Sequence, residues 1–117
     1  MTPVFQTKHG EGGNCWQAAT ASILGLDLDE VPDFVQQENP DEAYLDFLQD
    51  QGFICVKLQS SSWDCYYLAF GPSIVTGRKH VVVARNNKLV HDPHEGRNGL
   101  RNIEYINLII PIEIDLS

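Results

Sequence analysis

The sequence predicts an α+β domain, with helices in its first half packed on an antiparallel sheet from its second. Small and apolar residues recur at helical spacing as far as Leu48. After Gly52 the pattern changes to short β-branched runs bracketed by Gly, Pro and Asn. At 117 residues the chain is one domain's worth, taken as 1–117.

Each element has a local reason. Cys15, Ala18, Ala19, Ser22, Ile23 and Leu26 fall on one face of a first helix, which Gly25 loosens at its end. Asp27 and Asp29 precede a short helical segment, Glu30 to Val35, with Pro32 tolerable only in its first turn. Asn39-Pro40-Asp41-Glu42 starts a second helix: Asn as N-cap, Pro at the first helical position, acids against the dipole. Tyr44, Leu45, Phe47 and Leu48 supply its buried stripe, and Gly52 stops it. Strands are expected at Phe53 to Leu58, Ser73 to Thr76 and Ile103 to Ile112. His80 to Ala84 and Lys88 to Asp92 flank Asn86-Asn87 as a hairpin. Ser60 to Phe70 has no clear pattern.

Composition narrows the function. Eight Lys+Arg against sixteen Asp+Glu give a net charge of −8. Such a surface repels phosphate backbones and anionic lipid, so neither nucleic acid nor a membrane is an expected partner. No window reaches the roughly 18 apolar residues of a spanning helix, and the start lacks a secretory signal. Three scattered cysteines (Cys15, Cys55 and Cys65) match neither a disulfide framework nor a zinc motif. The expectation is a cytoplasmic domain with free thiols.

Gly12-Gly13-Asn14-Cys15-Trp16-Gln17 is the most informative stretch. The Gly pair lets the backbone turn tightly and approach a ligand. Cys15 then sits in the first turn of a helix, where free N–H groups and the dipole favour thiolate, the reactive form. The same N–H groups can hold an oxyanion when that sulfur attacks a carbonyl. Cys55, in a strand, and Cys65 read as buried, inert thiols. A nucleophilic Cys also needs a base and a group to orient it. His9 lies in a polar lead-in and reads as solvated. His80 opens an apolar strand, and His91-Asp92-Pro93-His94 ends the partner strand.

This order of motifs resembles the papain-like cysteine peptidases, and most closely the C39-like group that cleaves bacteriocin leader peptides. Gly13-Asn14-Cys15-Trp16 is similar to the superfamily's nucleophile motif. His80-Val81-Val82-Val83 and Asp92-Pro93 are similar to its base and orienting acid. The resemblance spans about Gln6 to Gly96 and implies a papain-like fold, a cysteine-dependent peptidase or amidase, and no metal or other cofactor. It implies Cys15 as nucleophile, His80 as base and Asp92 as the residue that orients it. The substrate would be a peptide, a protein or another amide. The family's oxyanion Gln lies a few residues before the Cys. Here a spacing of six lands on His9, and Gln6, nine residues before, reaches only if Gly10 to Gly13 loop outward.

Register decides whether Asp92 can serve. A strict two-residue turn at Asn86-Asn87 puts His80 on one face with His91, and Asp92 on the other. The triad therefore requires an odd-length loop or a bulge. Asn tolerates the left-handed conformation, so a three-residue loop, Asn86-Asn87-Lys88, is expected. His80 and Asp92 then become diagonal neighbours, roughly 7–8 Å apart at the backbone. A metal site at His80, His91, Asp92 and His94 is the rival, but adjacent strand residues point to opposite faces. The same residues also fit a related thiol transferase or deamidase, or a binding module with the cleft kept and turnover lost; a third option, an acidic protein that mimics nucleic acid or blocks a basic partner, rests only on the net charge.

Overall fold

Two α-helices and one five-stranded antiparallel sheet make up the architecture, in an α+β arrangement. The computed structural model describes residues 1–59, 61–96 and 98–112. Helix α1 spans Cys15–Leu24 and is closed by Gly25 in the left-handed region, φ 70°. Its small side chains let the sheet approach so closely that Gln17 to Ser22 are all buried. Thr20 and Ser22 satisfy their hydroxyls by donating to the Trp16 and Ala18 carbonyls, both at 2.8 Å. Ser22 Oγ also accepts the Val4 N–H at 2.9 Å, which lays the N-terminal segment along the helix.

The expected helical segment at Glu30 to Val35 is instead two single 3-10 turns, Leu28–Glu30 and Phe34–Gln36. Pro32 falls between them, where its missing N–H cannot carry a helix through. Helix α2 spans Pro40–Asp50 with Pro at its start and Asp41 and Glu42 in the first turn. Tyr44 and Leu48 are buried, whereas Leu45 is 50% exposed. Leu45 was expected in the buried stripe, but it lies one residue round from the line that meets β1 (Phe53–Leu58).

The other strands are β2 (Tyr67–Pro72), β3 (Lys79–Arg85), β4 (Lys88–His91) and β5 (Tyr105–Pro111). Their order in the sheet is β1-β5-β2-β3-β4, and α1 packs on β3. The position of β2 corrects the expectation of a strand at Ser73 to Thr76. Leu68, Ala69 and Phe70 pair with both β3 and β5 and are buried, so the strand belongs to the segment without a clear pattern. Ser73 begins a turn: its hydroxyl accepts the Val75 N–H at 3.2 Å, and Ile74 and Val75 point outward. Alternation splits the core across the sheet. Leu68, Phe70, Val81 and Val83 face the helices, while Tyr67, Ala69, Val82 and Ala84 pack with Ile106 and Leu108 on the other side.

The β3–β4 hairpin brings the two ends of the site together. Asn86 and Asn87 both have positive φ, 52° and 59°, so the turn has two residues and not the expected three. Arg85 pairs with Lys88 and Ala84 with Leu89, but Val83 pairs with His91. The extra residue, Val90, is a bulge, and it makes the one-residue shift assigned above to the loop. Opposite His80 on β2 stands Gly71, where a Cβ would collide with the Asn102 carbonyl. No helix among the described residues is long and apolar enough to cross a membrane.

Candidate active site

Cys15 is the first residue of α1, and no side chain caps that end. Asn14 holds a different set of bonds. Its Oδ1 accepts the N–H groups of Thr7 and Lys8 at 2.9 and 2.8 Å. Its Nδ2 donates to Thr7 Oγ1 at 3.0 Å and Gln17 Oε1 at 3.2 Å. Asn14 thus clamps the N-terminal segment against the head of the helix. The intervening residues bulge away: Asn14 N–H donates to the Lys8 carbonyl and Gly13 N–H to the Gly10 carbonyl. Gly10 and Gly12 have φ of 73° and 75°, which lets so short a loop close. The nine-residue spacing is thereby folded out, and Gln6 and Cys15 border the same cleft. Gln6 is buried, with one amide N–H donated to the Lys8 carbonyl at 2.8 Å and its Oε1 unpartnered. Gln17 turns inward, donating to the Leu28 and Val31 carbonyls.

His80 and Asp92 meet. His80 Nε2 lies 2.6 Å from Asp92 Oδ1, and both side chains are buried. Asp92 Oδ1 also accepts the His94 N–H, and Oδ2 the Gly99 N–H, each at 2.9 Å. These bonds fix the carboxylate, and the carboxylate fixes the ring. Burial opposes the charge on His80, but the bond to Asp92 and the nearby Cys15 sulfur outweigh it and push its pKa up to about 9. Burial likewise opposes ionised Asp92, yet His80 and the two N–H groups hold its pKa below the usual carboxylate value. With Nε2 committed to Asp92, the other ring nitrogen is left for the sulfur. The set can therefore hold a protonated ring beside the Cys15 sulfur.

The remaining histidines and thiols divide differently. His91 faces away from His80 and donates from Nε2 to the Val4 carbonyl at 2.7 Å, so the four members of the rival metal set do not converge. No group of three or more His, Cys, Asp or Glu among the described residues is arranged to hold a metal ion. His9 is exposed yet borders the cleft, its ring 5.0 Å edge-on from that of His94. Cys55 is half-buried against Tyr44, and burial raises both of their pKa values. Cys65 was expected to be buried and is exposed, in the irregular run before β2 that packs little of itself.

The cleft has a volume of about 660 Å³. Cys15, His80 and Asp92 open onto it beside Trp16 and Phe70. Trp16 is held by tilted contacts with Phe34 and Tyr44, centroids 5.0 and 4.8 Å apart. The clamp that Asn14 makes and the His94 and Gly99 N–H groups that hold Asp92 are parts of this site that sequence reasoning missed. An Asn before a helix reads as a cap, and backbone donors leave no sequence signal. No family model, curated protein or solved structure matches the chain.

Proposed function

We propose that the protein is a cysteine-dependent amide hydrolase with a papain-like fold and mechanism, acting on a peptide or protein through an acyl-enzyme at Cys15. The observation that carries this reading is the buried 2.6 Å His80–Asp92 contact on the same cleft as a cysteine at an uncapped helix head. A hydrogen-bonded His–Asp pair serves structural ends elsewhere, but its raised His80 faces a nucleophile here.

In this mechanism the Cys15 thiolate attacks the amide carbonyl, forming an S–C bond and an oxyanion. The free N–H groups at the start of α1 and the second N–H of the Gln6 amide stabilise that oxyanion. His80, protonated, gives its proton to the departing amine as the C–N bond breaks and a thioester forms. Water then loses a proton to His80 and attacks the thioester, releasing the acid and restoring the thiolate–imidazolium pair. Asp92 holds the ring and stabilises its charge throughout.

The test is an activated acyl ester offered to the parent protein, Cys15→Ala and His80→Ala. A mass gain of one acyl group at Cys15 is expected in the parent, absent in Cys15→Ala and strongly slowed in His80→Ala. Ester left intact by the folded parent would overturn the reading and leave a binding module on the same fold.

A further inference from the structure

The walls of the cleft carry a second message, about what enters it. Val35, on the second 3-10 turn, and Val75, in the β2–β3 turn, are 42% and 58% exposed although apolar. They border the same cleft from different elements, as do Trp16 and Phe70. Exposed apolar groups converging on a concave site mark a place for an apolar side chain.

Arg78 is the polar complement. It borders the cleft from the residue before β3, and its guanidinium reaches the Gly10 loop: Nη1 lies 3.1 Å from where a Cβ on Gly10 would stand. The guanidinium makes no ion pair among the described residues. Cleft acids are near: Glu11 makes no ion pair with it, and Asp92 is spent on His80. Lys79 also borders the cleft, but its ammonium lies over the Tyr105 ring, 5.4 Å from the centroid, which leaves the exposed Arg78 guanidinium as the cleft cation open to a ligand. Its planar fork matches a carboxylate.

We propose that the cleft selects amide substrates carrying an apolar side chain next to an acidic one, the apolar group between Val35 and Val75 and the carboxylate on Arg78. The inference rests on the hydrolase reading above, since it names the substrate class of that same site. It also explains how an acidic protein keeps an acidic substrate: the local cation offsets the repulsion of the distant acids, which salt screens more strongly.

The test uses acetyl-dipeptidyl chloromethyl ketones, which alkylate a thiolate by forming an S–C bond and expelling chloride. Leu-Glu, Leu-Gln and Leu-Lys probes, and the same pairs in reverse order, are compared by second-order labelling of Cys15, mapped by peptide mass. The faster of the two Glu probes should exceed its Gln partner about tenfold and its Lys partner by more. Arg78→Gln should bring the Glu/Gln ratio close to one, and Arg78→Glu should invert the preference toward Lys. Lys88→Gln, at the turn end of the β3–β4 hairpin and outside the cleft lining, should keep the parent ratio. Glu/Gln ratios within about twofold in both orders, or a ratio that survives Arg78→Gln, would overturn the selectivity. Iodoacetamide separates the two claims: a Cys15 that resists it as well as every probe sinks the hydrolase reading itself, whereas ready alkylation with no Glu preference sinks only this one.

Discussion

Asp92→Asn removes one charge at the centre of the site and leaves the shape almost unchanged. His80 is pushed up to about 9 even though burial opposes its charge, because Asp92 and the Cys15 sulfur favour the imidazolium. An adjacent opposite charge is worth about 1–3 pKa units, so the Asn variant should lose its activity at a pH lower by that margin. The sign follows from the proton that the proposed mechanism asks His80 to hold: the alkaline fall in kcat/KM, expected where His80 loses its proton, should move down. Stability obeys the same linkage. The parent's His80 contribution is complete below pH ~6.5 and is lost as pH rises through about 9, a slope that flattens in the variant. There is also a cost independent of pH. The carboxylate accepts from His80, His94 and Gly99, whereas an Asn that keeps its oxygen on His80 turns an NH2 toward the Gly99 N–H. That orphaned donor costs about 1–3 kcal/mol. The assay is a pH profile of ester turnover from pH 5 to 10.5, paired with urea melts at the ends of that range. An alkaline limb in Asp92→Asn within about 0.3 units of the parent's would refute the coupling.

Other substitutions test the supports of the site. Asn14→Ala strips the clamp on Thr7 and Lys8, leaving two backbone donors unmet, and should cost about 2–4 kcal/mol in a denaturant melt. Ester turnover should fall about 10–100-fold in the fraction that stays folded, as Gln6 loosens from its place. Gly71→Ala drives a methyl into the Asn102 carbonyl and should destabilise by about 1–3 kcal/mol or more, with His80, its partner across the sheet, displaced.

Where local chemistry decided the structure, the chain was legible. Pro40 and the acids after it mark the start of α2, although Asn39 in the cap position makes no side-chain cap bond, and the helix from Cys15 follows from the spacing of its small residues. Legibility failed where tertiary pairing overrode local pattern. Ser73 to Thr76 has the β-branched content of a strand, yet the Ser73 hydroxyl closes a turn and the strand lies at Tyr67–Pro72, stitched between two partners. The His80–Asp92 pairing was open to either a loop or a bulge. A bulge at Val90 leaves no compositional trace, while Asn86-Asn87 suits a two-residue turn as well as a longer one. The nearness of Gln6 to Cys15 needed a loop closed by two glycines in the left-handed region and by Asn14, a long-range outcome that spacing alone obscures. Cys65 was read as buried because most free cysteines are, and only the fold shows it exposed.

The most direct measurement of the central proposal, that Cys15 reacts as a thiolate held by His80, is its alkylation rate by iodoacetamide as a function of pH. Cys55→Ser and Cys65→Ser should be introduced first, because Cys65 is exposed and would react alongside. A thiolate–imidazolium pair predicts rapid alkylation of Cys15 that persists down to pH 6, and a loss of about tenfold or more at that pH in His80→Ala. Slow alkylation at pH 6, or an equal rate with and without the His80 ring, would contradict it.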